Sequence, residues 1–433
     1  MSRTTSSPWT LSALLCLWAP MAMANPGDPG DLEIQSLADD RSISFAEAAE
    51  RLSWQGGLDE LADLASAELG EQFAGVWIDV DDGDRVKLAL TQGPHPDPFG
   101  AAQQIVDQLG LGYATDLLQV TYGIDELEAA NEAIGDMLVA AGAQNQLAVG
   151  LRTDLNAVEL DLPPAGPSAA QVQLVDDIRQ QFGHLLVETD DAQNDVPMSC
   201  SGTNCDAPVR GGVSMTTPDP TPTQPGRLKV CSTGFMTESR TDGKIYALTA
   251  GHCLSPFPTH RTGSGTPSVW SIGDTSGGTI TLGDAHNFVH GTPGDVGIVH
   301  IDTAPVPSVQ NWVWVRASTS GTTPTTSDET YPIHRVGRSS IGMRICMSGQ
   351  TTGTTCGTVK RLGVTMTNSD GITRTNLGVA DLCIAGGDSG GPLYAYHSGF
   401  GILAGRFTSD GECRTTYTGL AGAENTLNVD VLH

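Results

Sequence analysis

The chain has 433 residues, of which 39% are hydrophobic, 17% are charged and only 5% are aromatic. This length is enough for two or three domains, and 52 glycines with 25 prolines favour short strands and turns over long helices. The net charge of −28 argues against nucleic acid as a partner, and no apolar run approaches the ~18 residues of a membrane-spanning helix.

The first 24 residues are typical of a secretory signal peptide. Arg3 is the only charged side chain, Leu11–Leu17 is a short and mostly apolar run, and Ala22–Ala24 supplies the small residues of a cleavage site. Cleavage there leaves Asn25 as the first residue of the mature chain. The sequence therefore predicts a protein that is secreted from the cell or held in a periplasm.

Residues 25–199 are predicted to form an acidic α+β unit with a linker. Residues 25–43 contain turn formers and no periodicity, which predicts a flexible lead-in, and Ser44 with Glu47 forms a capping box that predicts the start of a helix. The remaining predicted elements are a helix near 58–69, a hairpin of 74–80 with 85–90, a strand at 117–122, a helix at 125–141, strands at 146–151 and 157–162, a helix at 168–182 and a strand at 185–188.

The charge and the predicted secondary structure both change along the chain. Residues 1–199 contain 7 Lys and Arg against 33 Asp and Glu, whereas residues 200–433 contain 15 against 17, which predicts two parts with different roles. Residues 189–226 are rich in Asp, Pro, Thr and Gly and are predicted to include a linker and any processing site. Beyond Arg227, short β segments between Gly, Ser and Thr clusters predict a sandwich or barrel.

Cysteines indicate disulfides. Cys16 lies in the signal segment, and the other eight cysteines all lie between residues 200 and 413. In an exported protein this even number predicts four disulfides, although roughly a hundred connectivities are possible and the spacing does not choose among them. The Cys and His spacings do not combine into a zinc-ligand set, and the sequence implies no metal or organic cofactor.

Three local motifs each contribute one member of a nucleophilic triad. They are Leu248–Cys253 (LTAGHC), Pro293–Val299 (PGDVGIV) and Gly386–Pro392 (GGDSGGP). Their central residues, His252, Asp295 and Ser389, follow one another with separations of 43 and 94 positions. The three residue types, in this order, point to acyl-transfer chemistry.

The chemistry requires these three residue types. A serine hydroxyl is a poor nucleophile at neutral pH, so His252 is predicted to accept the proton of Ser389 and to pass it to the leaving amine. Asp295 would hold the imidazole tautomer and stabilise the imidazolium. Glycines around Ser389 permit a tight turn in which the N–H groups of Gly387 and Ser389 form an oxyanion hole.

The third motif also matches G-x-S-x-G, the nucleophile elbow of α/β-hydrolases. That fold places the acid and then the histidine after the serine, whereas only His397 and His433 follow Ser389. Residues 227–433 also lack the βαβ alternation of that fold. The sequence therefore disfavours an α/β-hydrolase.

Residues 227–433 resemble the bacterial chymotrypsin-like serine proteases of the streptogrisin and α-lytic type. The segments that carry the resemblance are Cys231–Phe235 ahead of the histidine motif, Ser348–Gly353 after Cys346, Cys356–Val359, and Cys383 six residues before Ser389. The resemblance implies two β-barrels, roughly residues 209–303 and 330–430, with the triad in the cleft between them.

The same resemblance implies the disulfide pairing. The implied pairs are Cys231–Cys253, Cys346–Cys356 and Cys383–Cys413. Cys200 and Cys205 are left as the remaining two cysteines, with less support for their pairing.

The acidic half resembles the pro-region of α-lytic-type proteases. The matching segments are Phe73–Asp79, Leu88–Thr91 and Tyr122 with Glu126 and Leu127. The resemblance implies a partner that catalyses folding, then inhibits, and is finally discarded. Such help has a physical reason, because a Gly-rich β protein with many non-local contacts folds slowly, while a large unfolding barrier later protects it from proteolysis.

The first departure from the family concerns the strand that lines the substrate pocket. Ala404, Gly405 and Arg406 replace the usual Ser-Gly-Gly, so these three residues are predicted to line the cleft and Asp295 is expected to lack one hydrogen bond. Arg406 either favours acidic substrate side chains, narrows the pocket, or is a solvated surface residue; the sequence leaves these alternatives open.

The second departure concerns the aspartate before the nucleophile. Met347 stands where the family often has an arginine that pairs with that aspartate, here Asp388. Arg344 is an alternative partner. A buried aspartate without a cation would be costly.

The sequence thus predicts an all-β, chymotrypsin-like double β-barrel protease domain at residues 200–433, preceded by a signal peptide at 1–24 and an α+β pro-region at 25–199. The predicted function is a secreted serine endopeptidase that forms an acyl-enzyme, acts on proteins or peptides, and is made as a precursor with its own pro-region as chaperone and inhibitor. The alternative is a catalytically weak or inactive protease-fold binding protein, which Ala404 and Met347 keep open.

Overall fold

The computed structural model of the chain contains an N-terminal α+β region and a C-terminal β region. The residues that it describes are 32–112, 114–141, 147–162, 168–189, 209–218, 228–259, 266–273, 279–301, 309–315, 329–368, 370–409 and 411–432. The signal segment, Cys200 and Cys205 lie outside the described residues, as does most of the segment predicted to contain the processing site.

The N-terminal region follows the predicted order of elements, with boundaries that differ by a few residues. Its helices are α1 (Leu32–Arg41), α2 (Phe45–Gln55), α3 (Leu58–Leu69), α4 (Pro98–Gln108), α5 (Ile124–Ala141) and α6 (Ala169–Phe182). Its strands are β1 (Phe73–Asp79), β2 (Arg85–Leu90), β3 (Thr115–Gln119), β4 (Ala148–Arg152), β5 (Ala157–Asp161) and β6 (Leu186–Thr189). Ser44 caps α2, since its Oγ accepts the N–H of Glu47 at 3.2 Å, which is one of the two hydrogen bonds of the predicted capping box.

Two helices of this region differ from the sequence prediction. Residues 32–41 form α1 rather than part of a flexible lead-in, so that prediction is wrong for this segment. Glu33 in α1 is buried and accepts the hydroxyl of Tyr331 at 2.9 Å, so the helix is held by the C-terminal region. Helix α4 was not predicted, although Asp97 caps it by accepting the N–H of Gly100 at 3.0 Å.

The C-terminal region consists almost entirely of strands. They are β7 (Val209–Gly211), β8 (Ser214–Pro218), β9 (Leu228–Ser232), β10 (Met236–Ser239), β11 (Ile245–Thr249), β12 (Val269–Gly273), β13 (Thr279–Gly291), β14 (Gly294–His300), β15 (Val309–Val315), β16 (Glu329–Pro332), β17 (Arg335–Val336), β18 (Arg344–Gly349), β19 (Gly353–Thr367), β20 (Thr373–Ala380), β21 (Pro392–Ala395), β22 (Ser398–Ser409), β23 (Glu412–Gly419) and β24 (Val429–Val431). Two short helices accompany them, α7 (Gly251–Leu254) and α8 (Leu420–Leu427).

These strands form two main sheets. The first has the order β24-β10-β11-β14-β13-β12-β8-β9, and the second runs β18-β21-β22-β23-β20-β19. A further antiparallel pairing joins β18 to β19, with Cys346 opposite Cys356, and closes the second sheet into a six-stranded barrel. The fold-class prediction of a chymotrypsin-like β region after an α+β region is confirmed.

The N-terminal region continues the second sheet. Strand β4 pairs antiparallel with β19, with Leu151 opposite Leu362, and β5 and β6 follow beyond β4. A single hydrogen-bonded sheet therefore crosses from one region to the other. Among the described residues, no helix is both long and apolar enough to cross a membrane.

Within the described residues, three disulfides connect segments of the C-terminal region. They are Cys231–Cys253, Cys346–Cys356 and Cys383–Cys413, the three pairs that the family resemblance implies. The first joins β9 to α7, and the third joins the segment before Ser389 to β23. Both therefore fix segments that carry residues of the candidate site.

Candidate active site

His252 lies in α7, the single helical turn that follows β11. The turn passes very close to β13, because a Cβ built on Gly251 would lie 1.8 Å from the carbonyl oxygen of Val289. Only glycine permits this approach. The backbone packing thus places the half-buried imidazole of His252 directly beside the start of β14.

Asp295 at the start of β14 is completely buried and binds His252 twice. Its Oδ1 accepts the backbone N–H of His252 at 2.6 Å, and its Oδ2 lies 2.7 Å from the ring Nδ1. A carboxylate accepts from Nδ1–H, so this contact places the ring proton on Nδ1 and leaves the Nε2 lone pair available as a base. Thr418 fixes the aspartate backbone by accepting its N–H at 2.9 Å.

Charge around Asp295 keeps its carboxyl ionised. Burial works to raise the pKa of Asp295, but His252, Arg374 and His290 outweigh it and bring the pKa below its ordinary value. Arg374 donates its Nε to Oδ2 at 3.3 Å. The expectation that Asp295 lacks a hydrogen bond because Ala404 carries no hydroxyl is therefore wrong, since an arginine from β20 provides a donor.

Ser389 lies close to His252. The Sγ of Cys253 lies 4.0 Å from Nε2 of His252 and 3.8 Å from the carbonyl oxygen of Ser389, so one atom contacts both residues. Within the part of the chain that the structure describes, no hydrogen bond joins Ser389 Oγ to Nε2. Such bonds are often long in substrate-free enzymes and shorten in the complex.

Hydrogen bonds fix two backbone carbonyls in the loop that carries Ser389. The N–H group that follows each carbonyl therefore points away from it. The carbonyl of Gly386 accepts the hydroxyl of Thr351 at 2.9 Å, and that of Asp388 accepts the N–H of Gly391 at 2.9 Å. In a trans peptide the following N–H points the opposite way, and these are the N–H groups of Gly387 and Ser389. Neither of them donates to another described residue, so both are available to a developing oxyanion.

Glycines 387 and 390 allow this loop geometry. Gly387 has φ +95° and Gly390 has φ +90°, a region that residues with a side chain rarely adopt. A Cβ on Gly390 would also lie 2.1 Å from Thr249 Oγ1. Ser232 clamps the same loop, because its N–H donates to the carbonyl of Ser389 at 2.8 Å and its hydroxyl to that of Gly387 at 2.8 Å.

Asp388 is fully buried and is bound by neutral donors. Its Oδ1 accepts the N–H groups of Thr351 and Thr352 at 2.8 and 3.0 Å, and its Oδ2 accepts the N–H of Ala385 at 2.8 Å and the hydroxyl of Thr352. Four converging donors take the place of a cation and satisfy the buried charge.

Arg344, the alternative partner for Asp388, instead faces the N-terminal region. Its Nη1 lies 2.6 Å from Oδ2 of Asp40, and its Nη2 contacts Ser36 Oγ. Arg344 and Met347 lie on β18, three residues apart, and therefore on opposite faces of the strand. This alternation explains why Arg344 cannot substitute for an arginine at position 347.

Comparison with known proteins decides the family. Serine protease 2 of Streptomyces fradiae is 30% identical over 185 residues, which are 43% of this chain and 90% of that protein. This chain belongs to the bacterial chymotrypsin-like serine proteases. It is a serine endopeptidase. Glutamyl endopeptidase 2 of Streptomyces griseus is 30% identical over 176 residues, which are 40% of this chain and 78% of that protein.

Solved structures include similar chains. One, described as a glutamic acid specific serine protease that uses a histidine triad in substrate binding, is 27% identical, with a TM-score of 0.39 over 52% of this chain and 100% of that chain. The Nocardiopsis protease is 24% identical, with a TM-score of 0.39 over 52% of this chain and 100% of that one. No family model matches the chain.

The three residues predicted to line the protease's substrate pocket lie on β22. Ala404 is buried, Gly405 pairs with Thr416 of β23, and the half-buried Arg406 donates its Nη1 to the carbonyl of Ile384 at 3.0 Å. Ile384 lies between Cys383 and the nucleophile loop. Arg406 thus braces the segment that leads into the loop of Ser389.

Sequence reasoning predicted the three candidate triad positions but missed the polar residues that hold them or the loop of Ser389. The missed residues are Ser232, Thr351, Thr352, Arg374 and Thr418. Each lies far from its partner in sequence, in Thr-rich β segments where many residues of the same type occur. Nothing local distinguishes these side chains from solvated ones.

Proposed function

We propose that the protease is exported as a precursor and hydrolyses peptide bonds of proteins or peptides through His252, Asp295 and Ser389. The observation that carries the proposal is the ring contact: Nδ1 of His252 lies 2.7 Å from a fully buried carboxylate. This contact orients the ring and prepares Nε2 to act as a base next to the nucleophile loop.

The residues supply each step of acyl transfer. Nε2 of His252 takes the proton of Ser389 as Oγ bonds to the substrate carbonyl carbon, and the carbonyl oxygen becomes an oxyanion bound by the N–H groups of Gly387 and Ser389. The imidazolium, stabilised by Asp295, then gives its proton to the amine nitrogen as the C–N bond breaks. Water repeats the same steps on the acyl-enzyme and restores the serine.

A serine-directed phosphonate tests this proposal. We expect the processed protease to lose activity with one phosphonate bound per molecule, attached to Ser389 and found there by peptide mass spectrometry. Heat-denatured protein is the control and should not react. Absence of labelling in the folded protein would favour the alternative function, a binding protein on an inactive protease fold.

Export is supported by the signal-like first 24 residues and by the three disulfides, which form and persist in oxidising compartments. The N-terminal region is proposed to act as the pro-region. Its inhibitory role rests on the family resemblance. Its role in folding has structural support, because β4 provides hydrogen-bond partners to β19 of the closed barrel.

A buried charge cluster accompanies the pairing of β4 with β19. Arg361 on β19 is 7% exposed, and its Nη1 lies 3.0 Å from Oε2 of Glu159 and also contacts Asp161, both on β5. A protease strand thus places a buried cation against two carboxylates of the N-terminal region. The cluster can form only when the two regions are docked.

Replacing Arg361 with methionine is expected to weaken the docking of the N-terminal region about 100-fold or more. The change leaves Asp161 buried without a cation and leaves Glu159 with Arg152 alone, and breaking a buried pair in this way costs about 3–5 kcal/mol. The measurement is the concentration at which the processed fragments separate in gel filtration.

Lys360→Met is the matched control for this prediction. Lys360 precedes Arg361 on the same strand, but its Nζ pairs with Asp381 of the C-terminal region at 2.9 Å. We expect this variant to dock like the wild type. Equal docking of the two variants would show that the charge cluster does not hold the regions together.

A further inference from the structure

Asp295 contacts a buried cation that belongs to none of the three motifs of the site. Arg374, the second residue of β20, is 3% exposed, and its Nε lies 3.3 Å from Oδ2 of Asp295. The same oxygen accepts from Nδ1 of His252 at 2.7 Å. A permanently charged guanidinium and the imidazole therefore share one carboxylate oxygen.

The guanidinium also has a second carboxylate partner. Its Nη2 lies 2.6 Å from Oδ2 of Asp370, and its Nη1 lies 3.2 Å from Oδ1 of the same residue. His290 of β13 contacts Nη2, and its ring centroid lies 6.0 Å from that of His252. Arg374 thus lies between the triad aspartate on one side and Asp370 on the other.

A cation at this position does more than a hydroxyl would. A neutral donor only aligns the carboxylate, whereas a positive charge also opposes protonation of the neighbouring imidazole. Asp370 offsets that effect because its negative charge lies directly behind the guanidinium. Burial works to raise the pKa of Asp370, but its contacts with His290 and Arg374 outweigh that effect and hold the pKa well below its ordinary value, which favours the charged carboxylate.

We propose that Arg374 is a positioning residue of the protease: it aligns Asp295 and sets the pH at which His252 takes up a proton, with Asp370 as its counter-charge. The proposal rests on the triad proposed above. Arg374 is too buried to touch a substrate, so it acts only through Asp295.

Other charged groups near the His252 ring are the same residues in every variant that the experiment compares. Among the described residues, the side chains that contact His252 or its aspartate from the neighbouring strands include Lys229 of β9, whose Nζ donates to the His252 carbonyl at 3.2 Å, and His290 of β13. Neither is changed in the experiment. Because Nε2 of His290 also lies 3.3 Å from Oδ2 of Asp370, the His290 signal is followed in the same titrations and its change is compared with that of His252.

The experiment measures the His252 ring directly and needs no catalysis. In the full chain carrying S389A, the histidines are labelled with ¹³C, and the His252 signal is assigned by its loss in H252Q. We expect R374Q to move the midpoint of its pH titration upward by about one pH unit, because a nearby positive charge is removed. D370N should move the midpoint downward by about half a unit, because Arg374 is no longer offset.

Activity provides the second measurement. In otherwise wild-type protein, R374Q is expected to lower kcat about tenfold, leave KM within about twofold, and shift the acidic limb of kcat/KM upward with the NMR midpoint. R374K keeps the positive charge of Arg374 but not its planar set of N–H donors. It should therefore return the acidic limb of kcat/KM to its wild-type pH while kcat stays low.

Opposite shifts in R374Q and D370N support the proposal. Shifts in the same direction, or no shift in D370N, overturn it and leave Arg374 as part of a structural ion pair. The Asp370 side chain is one-third exposed, so D370N tests the proposal even if R374Q does not fold. Failure of the phosphonate to label the wild type would refute the proposed triad, whereas the NMR midpoints judge Arg374 independently.

Discussion

Replacing Ser389 with alanine is expected to lower kcat for peptide hydrolysis about 10⁵- to 10⁶-fold. The change removes the atom that is proposed to bond to the substrate carbonyl carbon, and Nε2 of His252 then has no serine hydroxyl to deprotonate. Residual activity comes from the oxyanion N–H groups and from substrate binding. Because the hydroxyl makes no hydrogen bond within the described residues, stability should change by less than about 0.5 kcal/mol.

Processing of the precursor provides a second measurement on the same variant. Wild type is expected to split between Thr189 and Arg210, while Ser389→Ala stays full length until active protease is added. Ser340→Ala, a half-buried serine elsewhere in the C-terminal region, is the matched control and should process normally. Identical cutting of the Ser389→Ala chain and the wild type would show that another protease performs the step.

Elements encoded by neighbouring residues could be predicted from the sequence. The hairpin of β1 and β2 was expected from two alternating segments around Asp82-Gly83, and α5 from the apolar face of residues 125–141. Both patterns report local periodicity. The structure confirms them with boundary shifts of one or two residues.

Helix α1 could not be predicted because its support is distant. Glu33 is held by Tyr331 and by the N–H of Tyr396 at 3.1 Å, and Arg344 pairs with Asp40. These partners lie roughly 300 positions away in sequence, so residues 25–43 contain no local sign of them. An acidic, turn-rich segment becomes a helix only because the barrel provides the partners.

The residues of the candidate site also fall into those that local sequence predicts and those that depend on distant partners. The three proposed triad residues occur in short motifs, so they could be predicted from the sequence. Arg374, by contrast, contacts Asp295 from a position 79 residues away, and nothing in Thr373–Ala380 distinguishes it from an exposed arginine of a strand. The donors to Asp388 are also mainly backbone N–H groups, which any sequence would supply.

The acidic composition of the N-terminal region has a structural counterpart in arginines of the C-terminal region. Arg338 pairs with Asp63, Arg344 with Asp40 at 2.6 Å, and Arg361 with Glu159 at 3.0 Å. Arg344 and Arg361 are buried at these contacts, whereas Arg338 stays exposed. Part of the acidic charge of the N-terminal region therefore lies in its interface with the C-terminal region. This arrangement agrees with the proposed role of the N-terminal region as a folding partner that is later removed.

Replacing Asp295 with asparagine is expected to lower kcat about 10⁴-fold while leaving the substrate KM within a few-fold. Oδ2 faces two donors, Nδ1–H of His252 and Nε of Arg374, and Oδ1 faces the backbone N–H of His252. An asparagine has one acceptor oxygen and one NH₂ group that donates. Its NH₂ group must therefore face one of these N–H donors, and the hydrogen bond there is lost.

Either orientation of that asparagine damages the base. If its NH₂ group faces the ring of His252, the ring proton moves to Nε2, which can then no longer accept the proton of Ser389. If its NH₂ group instead faces the backbone N–H of His252, α7 must shift away from β14. Asp242→Asn, an exposed turn residue, is the control and should retain full activity. A loss of less than tenfold in Asp295→Asn, measured by active-site-titrated kinetics, would contradict the role of Asp295 as the residue that orients His252.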